Sequence, residues 1–209
     1  MRILKSNFGS SEDEIWRRLS AELGGKVKDV GLLKDFFGTT SKVEVRHGEW
    51  TITLDSFTEG GGQGGTRYYT RMRAPYLNKD GFRFTIYEKS LFSGMGKFFG
   101  MQDVEVGFSQ FDDAFIIKGN NEDKLKQLFR NSKIRELISC QSCIHFEVKD
   151  DEGWFGPGFP EGVDELYFQT PDKFEDIEQL KRLFDLFAEV LNHLCHMDSA
   201  YESDPRLSL

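Results

Sequence analysis

A chain of 209 residues with 38% hydrophobic residues, 30% charged residues and 20 phenylalanines is too apolar to stay disordered and long enough for a single domain around an aromatic-rich core. A formal charge of −8 and a pI near 5.1 argue against sequence-independent binding to nucleic acid, which needs a cationic surface to displace counterions from phosphates; a local basic face stays compatible. No window approaches the ~18 apolar residues of a membrane span, Ile3 and Leu4 are too short a pair for a signal peptide, and the cysteines are sparse and odd in number (Cys140, Cys143, Cys195), so a cytoplasmic chain is expected.

Ser11, with Glu14 three residues on, makes a capping-box pattern that opens a first helix. Ile15, Leu19 and Leu23 share its face, and Gly24-Gly25 stops it. Lys26 to Thr40 fits a short helix or a strand and turn equally and is read as a connector. From Lys42 the period becomes two: Val43 and Val45 alternate with charged residues, His47-Gly48 turns the chain, and Trp50, Ile52 and Leu54 complete a hairpin. Seven residues from Glu59 to Gly65, five of them glycine, form a loop, because glycine loses most backbone entropy on ordering. Thr66 to Tyr76 is a third strand; Asn78 to Gly81 supplies a turn, and Phe82, Phe84 and Ile86 alternate in a fourth.

Leu91 to Phe99 is apolar but interrupted by Gly94 and Gly96, and is read as an irregular crossing. Ala114 to Lys118 is a strand, and Asn120 or Asn121 caps a helix with Leu125, Leu128 and Phe129 on one face. Asn131-Ser132 restarts a short helix through Ile134, Leu137 and Ile138. Ile144, Phe146 and Val148 form the penultimate strand, Asp150 to Gly153 a turn, and Glu165 to Thr170 the last strand. Trp154 to Pro160 is an aromatic, proline-containing loop. A C-terminal helix of about 24 residues, capped by Asp172, carries a broad apolar stripe from Ile177 to Leu194 and must cover a sheet or pair with another helix.

The expected architecture is one α+β domain over residues 1–209, with flexible tails at 1–10 and 198–209: a mostly antiparallel sheet of about seven strands, an inserted helical pair and the long C-terminal helix packed on the sheet. The alternative is a pleckstrin-homology-like barrel with a capping helix.

Four features are candidates for chemistry. Arg67, Tyr69, Arg71 and Arg73 alternate along one face of the third strand, with Arg83 on its expected hairpin partner; together they form a candidate site for an anionic ligand or acidic segment. The competing reading pairs these cations with Glu44, Asp55 and Glu88 on neighbouring strands. Cys140 and Cys143 form a CxxC motif, but Cys140 follows a helix, whereas redox nucleophiles sit at a helix N-terminus. Adding His145, His193 and His196 to the two cysteines gives a candidate zinc set, although zinc-finger spacing is absent and a last helical turn favours histidine anyway. Asp103, Glu105, Asp112 and Asp113 supply oxygen ligands without an EF-hand spacing, so surface or capping roles are expected. No Gly-Lys-Ser/Thr follows the glycine loop, Gly94-Met-Gly-Lys97 has no Ser/Thr after its lysine, and no Gly-x-Ser-x-Gly is present, so neither loop is a phosphate-binding loop.

GMQDVEVG, FDDAFIIKGNN, LFRNSKIRELI and LKRLFDLFAEVL resemble a group of uncharacterised bacterial proteins that share a domain of unknown function. The resemblance runs from about Trp16 to the tail and implies no substrate, cofactor or catalytic residue. Residue chemistry therefore points to a non-enzymatic cytosolic binding or scaffold domain with no cofactor, able to meet a protein or small anion and to self-associate. The alternative is a metal- or thiol-dependent enzyme built on the CxxC and the helix-end histidines.

Overall fold

The computed structural model describes residues 10–28, 42–60, 65–90, 102–151, 158–171, 174 and 176–207. Most of the connector before Lys42, the centre of the glycine loop, the crossing at 91–99 and residues 154–157 of the aromatic loop lie outside them.

Period-two patterning becomes ladder. Strands β1 (Lys26–Lys28), β2 (Lys42–His47), β3 (Trp50–Gly60), β4 (Thr66–Asn78), β5 (Phe84–Glu88), β6 (Gln102–Asp103), β7 (Phe115–Gly119), β8 (His145–Lys149), β9 (Val163–Thr170) and β10 (Ala200–Tyr201) form one sheet. Its order is β1-β2-β3-β4-β9-β8-β5-β7-β6, every pair is antiparallel, and β10 adds to β4 off this path. The path is open, with β1 and β6 at its ends, so the α+β sheet is observed and the barrel is not.

Register shows why the sheet has two unlike faces. Val43, Leu54, Met72, Phe168, Phe146, Ile86 and Ile117 stand opposite one another in turn across seven strands, and all are buried. Because successive side chains alternate, the intervening row must face the other way. That row reads Lys42, Asp55, Arg71, Gln169, His145, Tyr87, and the row beside it Glu44, Thr53, Arg73, Tyr167, Glu147, Thr85, Lys118.

The helices cover the apolar face. They are α1 (Ser10–Leu23), α2 (Ser109–Ala114), α3 (Glu122–Arg130), α4 (Ser132–Ser139) and α5 (Ile177–His196). Phe187 of α5 meets Phe146 edge-on at 5.5 Å between ring centroids, and Phe129 of α3 meets Phe84 at 6.2 Å. Trp16 and Leu19 of α1 join the same core. Asn131 caps α4, its side-chain oxygen accepting from the N–H groups of Lys133 and Ile134, and its amide holds Glu189 of α5 at 2.7 Å.

Two details differ from the sequence reading, at the two ends of the C-terminal segment, and one alternative, the cap of α3, is resolved. α5 starts at Ile177, capped by Asp176 rather than Asp172, and spans 20 residues. Asn121 caps α3, while Asn120 instead bonds Arg83 N–H and Gly81 C=O. Within the C-terminal segment expected to be a flexible tail, Ala200 and Tyr201 pair with Asn78 and Leu77.

Candidate functional site

The charged face of the sheet is where most of the suspected chemistry collects. Asp55 on β3 stands directly opposite Arg71 on β4 and receives two hydrogen bonds of 2.7 Å from its guanidinium. Arg73, two residues further along the same face, donates to the same carboxylate at 3.0 Å and lies 4.0 Å from Glu165 of β9. Glu165 is fully buried, and Lys149 of β8, its cross-strand partner, reaches it at 3.6 Å. Three cations and two carboxylates thus form a chain across β3, β4, β9 and β8.

Aromatic rings frame both ends of this chain. Arg71 lies over Phe57 at 4.8 Å, and Phe57 stacks on Tyr69 at 5.4 Å. Lys149 lies over Tyr167 at 3.6 Å, and the Tyr167 hydroxyl donates to Gln169 at 2.6 Å. A cation over an aromatic face is held by the ring quadrupole, so both head groups are positioned rather than free to sweep. They also keep access to solvent, with 22% of the Arg71 side chain and 18% of the Lys149 side chain exposed.

Electrostatics follow from this burial. Desolvation opposes charge on Arg71, yet the hydrogen bonds and Coulomb attraction of Asp55 outweigh it and hold the guanidinium more basic than usual. Lys149 goes the other way: burial pulls its ammonium below the ordinary lysine range, against the pull of Glu165 and Glu147. Burial raises the Tyr167 phenol.

The candidate anion-binding residues therefore divide. Arg71, Arg73 and Tyr69 share one face, as their alternation requires. Arg67 sits at the far end of β4 and is exposed. Arg83 is elsewhere, because β9 and β8 insert between β4 and β5 and no β4–β5 hairpin forms. Its guanidinium grips Asp164 at 2.9 and 3.0 Å and Asp150 at 2.7 Å. Of the three carboxylates proposed as partners for the arginines, Asp55 binds both Arg71 and Arg73.

The zinc set does not assemble. His145 lies on the charged face, 3.4 Å from Glu147. His193 and His196 end α5, which packs on the opposite, apolar face, where His193 contacts Gln127 C=O at 3.3 Å. Cys140 and Cys143 lie in the loop between α4 and β8. Among the described residues, no group of three or more His, Cys, Asp or Glu is placed to hold a metal ion. Of the acidic group, Asp103, Glu105 and Asp112 line one cavity of about 390 Å³, but two of them are already engaged: Asp103 pairs with Lys118 at 3.1 Å, while Asp112 accepts the N–H groups of Val106, Gly107 and Phe108, each at 2.9 Å.

Lys149, Glu165 and Tyr167 were missed as site residues. Their signal was available in the polar alternation of His145, Glu147 and Lys149 and of Glu165, Tyr167 and Gln169. Only the register, however, brings those strands beside Arg71.

No helix among the described residues is long and apolar enough to cross a membrane. No family model matches the chain, and no curated protein does. Among solved structures, the chain is similar to the crystal structure of the mycobacterial trehalose monomycolate transport factor A, TtfA, at a TM-score of 0.46 and 10% identity, over 84% of this chain and 95% of that one.

Proposed function

We propose that this protein is a cytoplasmic binding or scaffold domain that recognises an anionic ligand or acidic segment on the charged face of its sheet. The observation that carries this reading is the pair of ring-seated, partly open cations, Arg71 over Phe57 and Lys149 over Tyr167. An ion chain this buried is a poor way to add stability, since desolvation offsets most of the Coulomb gain; its presence is better explained by recognition. An anionic group beside Lys149 would relieve the cost of burying its charge, and an extended acidic segment would meet Arg71 as well.

The test is titration calorimetry with inorganic phosphate and with a hexaglutamate peptide, on the native chain and on Lys149→Gln. At least one probe should bind saturably and more weakly as salt rises. Losing one charge-assisted hydrogen bond of ~1.5 kcal/mol should weaken it about tenfold in the variant. Binding that is absent for both probes, or equal in the two proteins, would refute the assignment.

A further inference from the structure

The loop from α4 to β8 holds two thiols in four residues, and its backbone is anchored on both sides. Cys140 is the C-cap of α4, its N–H bonded to Glu136 C=O at 3.0 Å, and it is exposed. Gln141 turns inward and donates back to Leu137 C=O at 3.2 Å, which folds the loop over the helix end. On the strand side, Ser142 C=O accepts from Thr170 at 3.4 Å and Ile144 C=O accepts from Glu88 N–H at 3.4 Å. Between these anchors Cys143 takes a left-handed backbone, φ +50, a region unusual for a residue with a Cβ.

We propose that Cys140 and Cys143 are a redox modification site and form a reversible intramolecular disulfide that locks this loop. The chain bends at each of residues 141–143 between the end of α4 and the start of β8, and two cysteines three positions apart across such a bend can reach the Cα separation of up to about 7 Å that a disulfide spans. An uncommon backbone state held by flanking hydrogen bonds is where a local device is expected. Exposure, not helix-end activation, fixes the order of events: at the C-terminal end of α4 the Cys140 thiolate gains nothing from the dipole, so exchange is slow and its direction is set by access. Cys140, the more exposed thiol, attacks one sulfur of a small disulfide such as glutathione disulfide, forming a mixed disulfide and expelling one glutathione thiolate. The Cys143 thiolate then attacks the Cys140 sulfur and expels the second glutathione. Two protein thiols are oxidised, one glutathione disulfide is reduced to two thiols, and two protons leave the cysteines. Cys195 takes no part, because it lies on α5 and burial holds its thiol above the ordinary range. The consequence is local: oxidation ties the end of α4 to the start of β8, beside Ser139, Glu136 and Arg135, which line a cavity of about 520 Å³ with Phe108 and Phe111. This inference uses none of the residues of the proposed anion site and stands apart from it.

The experiment equilibrates the purified full chain with glutathione disulfide and glutathione at several ratios, quenches with acid, alkylates, and maps peptides by mass spectrometry. The expected product has lost two hydrogens, with Cys140 and Cys143 protected from alkylation and Cys195 still alkylated. Cys143→Ser should stall at a stable glutathione adduct on Cys140, and Cys195→Ser should behave as the native chain. A native chain that stops at the adduct, that cross-links between molecules, or that stays fully alkylated at both positions overturns the proposal.

Discussion

Asp55 and Arg71 face each other across the β3–β4 ladder and are joined by two parallel hydrogen bonds of 2.7 Å, with Arg73 adding a third contact to the same carboxylate at 3.0 Å. Asp55 is the hub of the charged face, and both guanidiniums depend on it. Its removal leaves the buried Arg73 and the partly buried Arg71 short of their shared acceptor, a loss of up to ~3–5 kcal/mol by the behaviour of buried ion pairs. Asp55→Ala should therefore unfold at markedly lower urea. The double variant Asp55→Ala with Arg71→Ala should lose less than the sum of the two single changes, because the pair acts as a unit. Additive losses in that cycle would mean that the two residues contribute independently.

Phe187 is fully buried and meets Phe146 through the apolar face, so it ties α5 to the middle of the sheet. Phe187→Ala removes this contact and leaves a cavity where neighbouring rings cannot collapse, costing ~3–5 kcal/mol. Tyr201, half exposed at the end of β10, is the control. Tyr201→Ala should move stability by no more than ~0.5 kcal/mol. Chemical denaturation followed by far-UV circular dichroism measures both, and similar losses at the two sites would show that α5 does not anchor the core.

The strands were readable because one face is buried: Phe84 and Ile86, Phe146 and Val148, and Leu166 and Phe168 repeat every second residue, and that period survives any tertiary context. Strand order was not. Asn78 to Gly81 has turn chemistry that suggests a β4–β5 hairpin. Yet the Asn78 side chain accepts from Gly81 N–H, donates to Phe82 C=O and bonds Asp164, so it directs the chain away from β4. Arg83 was misplaced for that reason. β6 and β10 have two residues each and α2 has six, too few for a period to show. Asp55 was recognised as a partner for the arginines because it sits in the hairpin next door, whereas Glu165 and Lys149 come together only through long-range register.

Glu189 gives the protein a defined acid sensitivity. Its carboxylate accepts from Asn131 and pairs with Lys133 at 3.1 Å, and these partners hold its pKa below the usual glutamate value despite partial burial. A carboxylate whose folded pKa is depressed contributes stability that is complete above its unfolded value and is lost as pH falls through the folded one. The contribution is thus present at neutrality and disappears on acidification through and below the ordinary glutamate range. Glu189→Gln should be less stable than the native chain at pH 7, and the gap should narrow as the pH drops. A gap that stays constant with pH would assign the effect to packing rather than charge.

Asp112 and Asp103 lie nine residues apart, and their surroundings give them opposite weights. Asp112 closes the loop before α2 by accepting three backbone N–H groups, from Val106, Gly107 and Phe108, while Asp103 is largely exposed and pairs with Lys118 at the sheet edge. Orphaning partly buried N–H donors costs ~1–3 kcal/mol, whereas an exposed ion pair contributes ~0–1 kcal/mol. Asp112→Ala should destabilise by the larger amount and speed amide hydrogen exchange at residues 106–108, and Asp103→Ala should leave both nearly unchanged. Asp112→Asn, which keeps one acceptor oxygen, should fall between. If exchange at 106–108 is unaltered in Asp112→Ala, those amides are protected by the surrounding backbone and the carboxylate does not hold the loop.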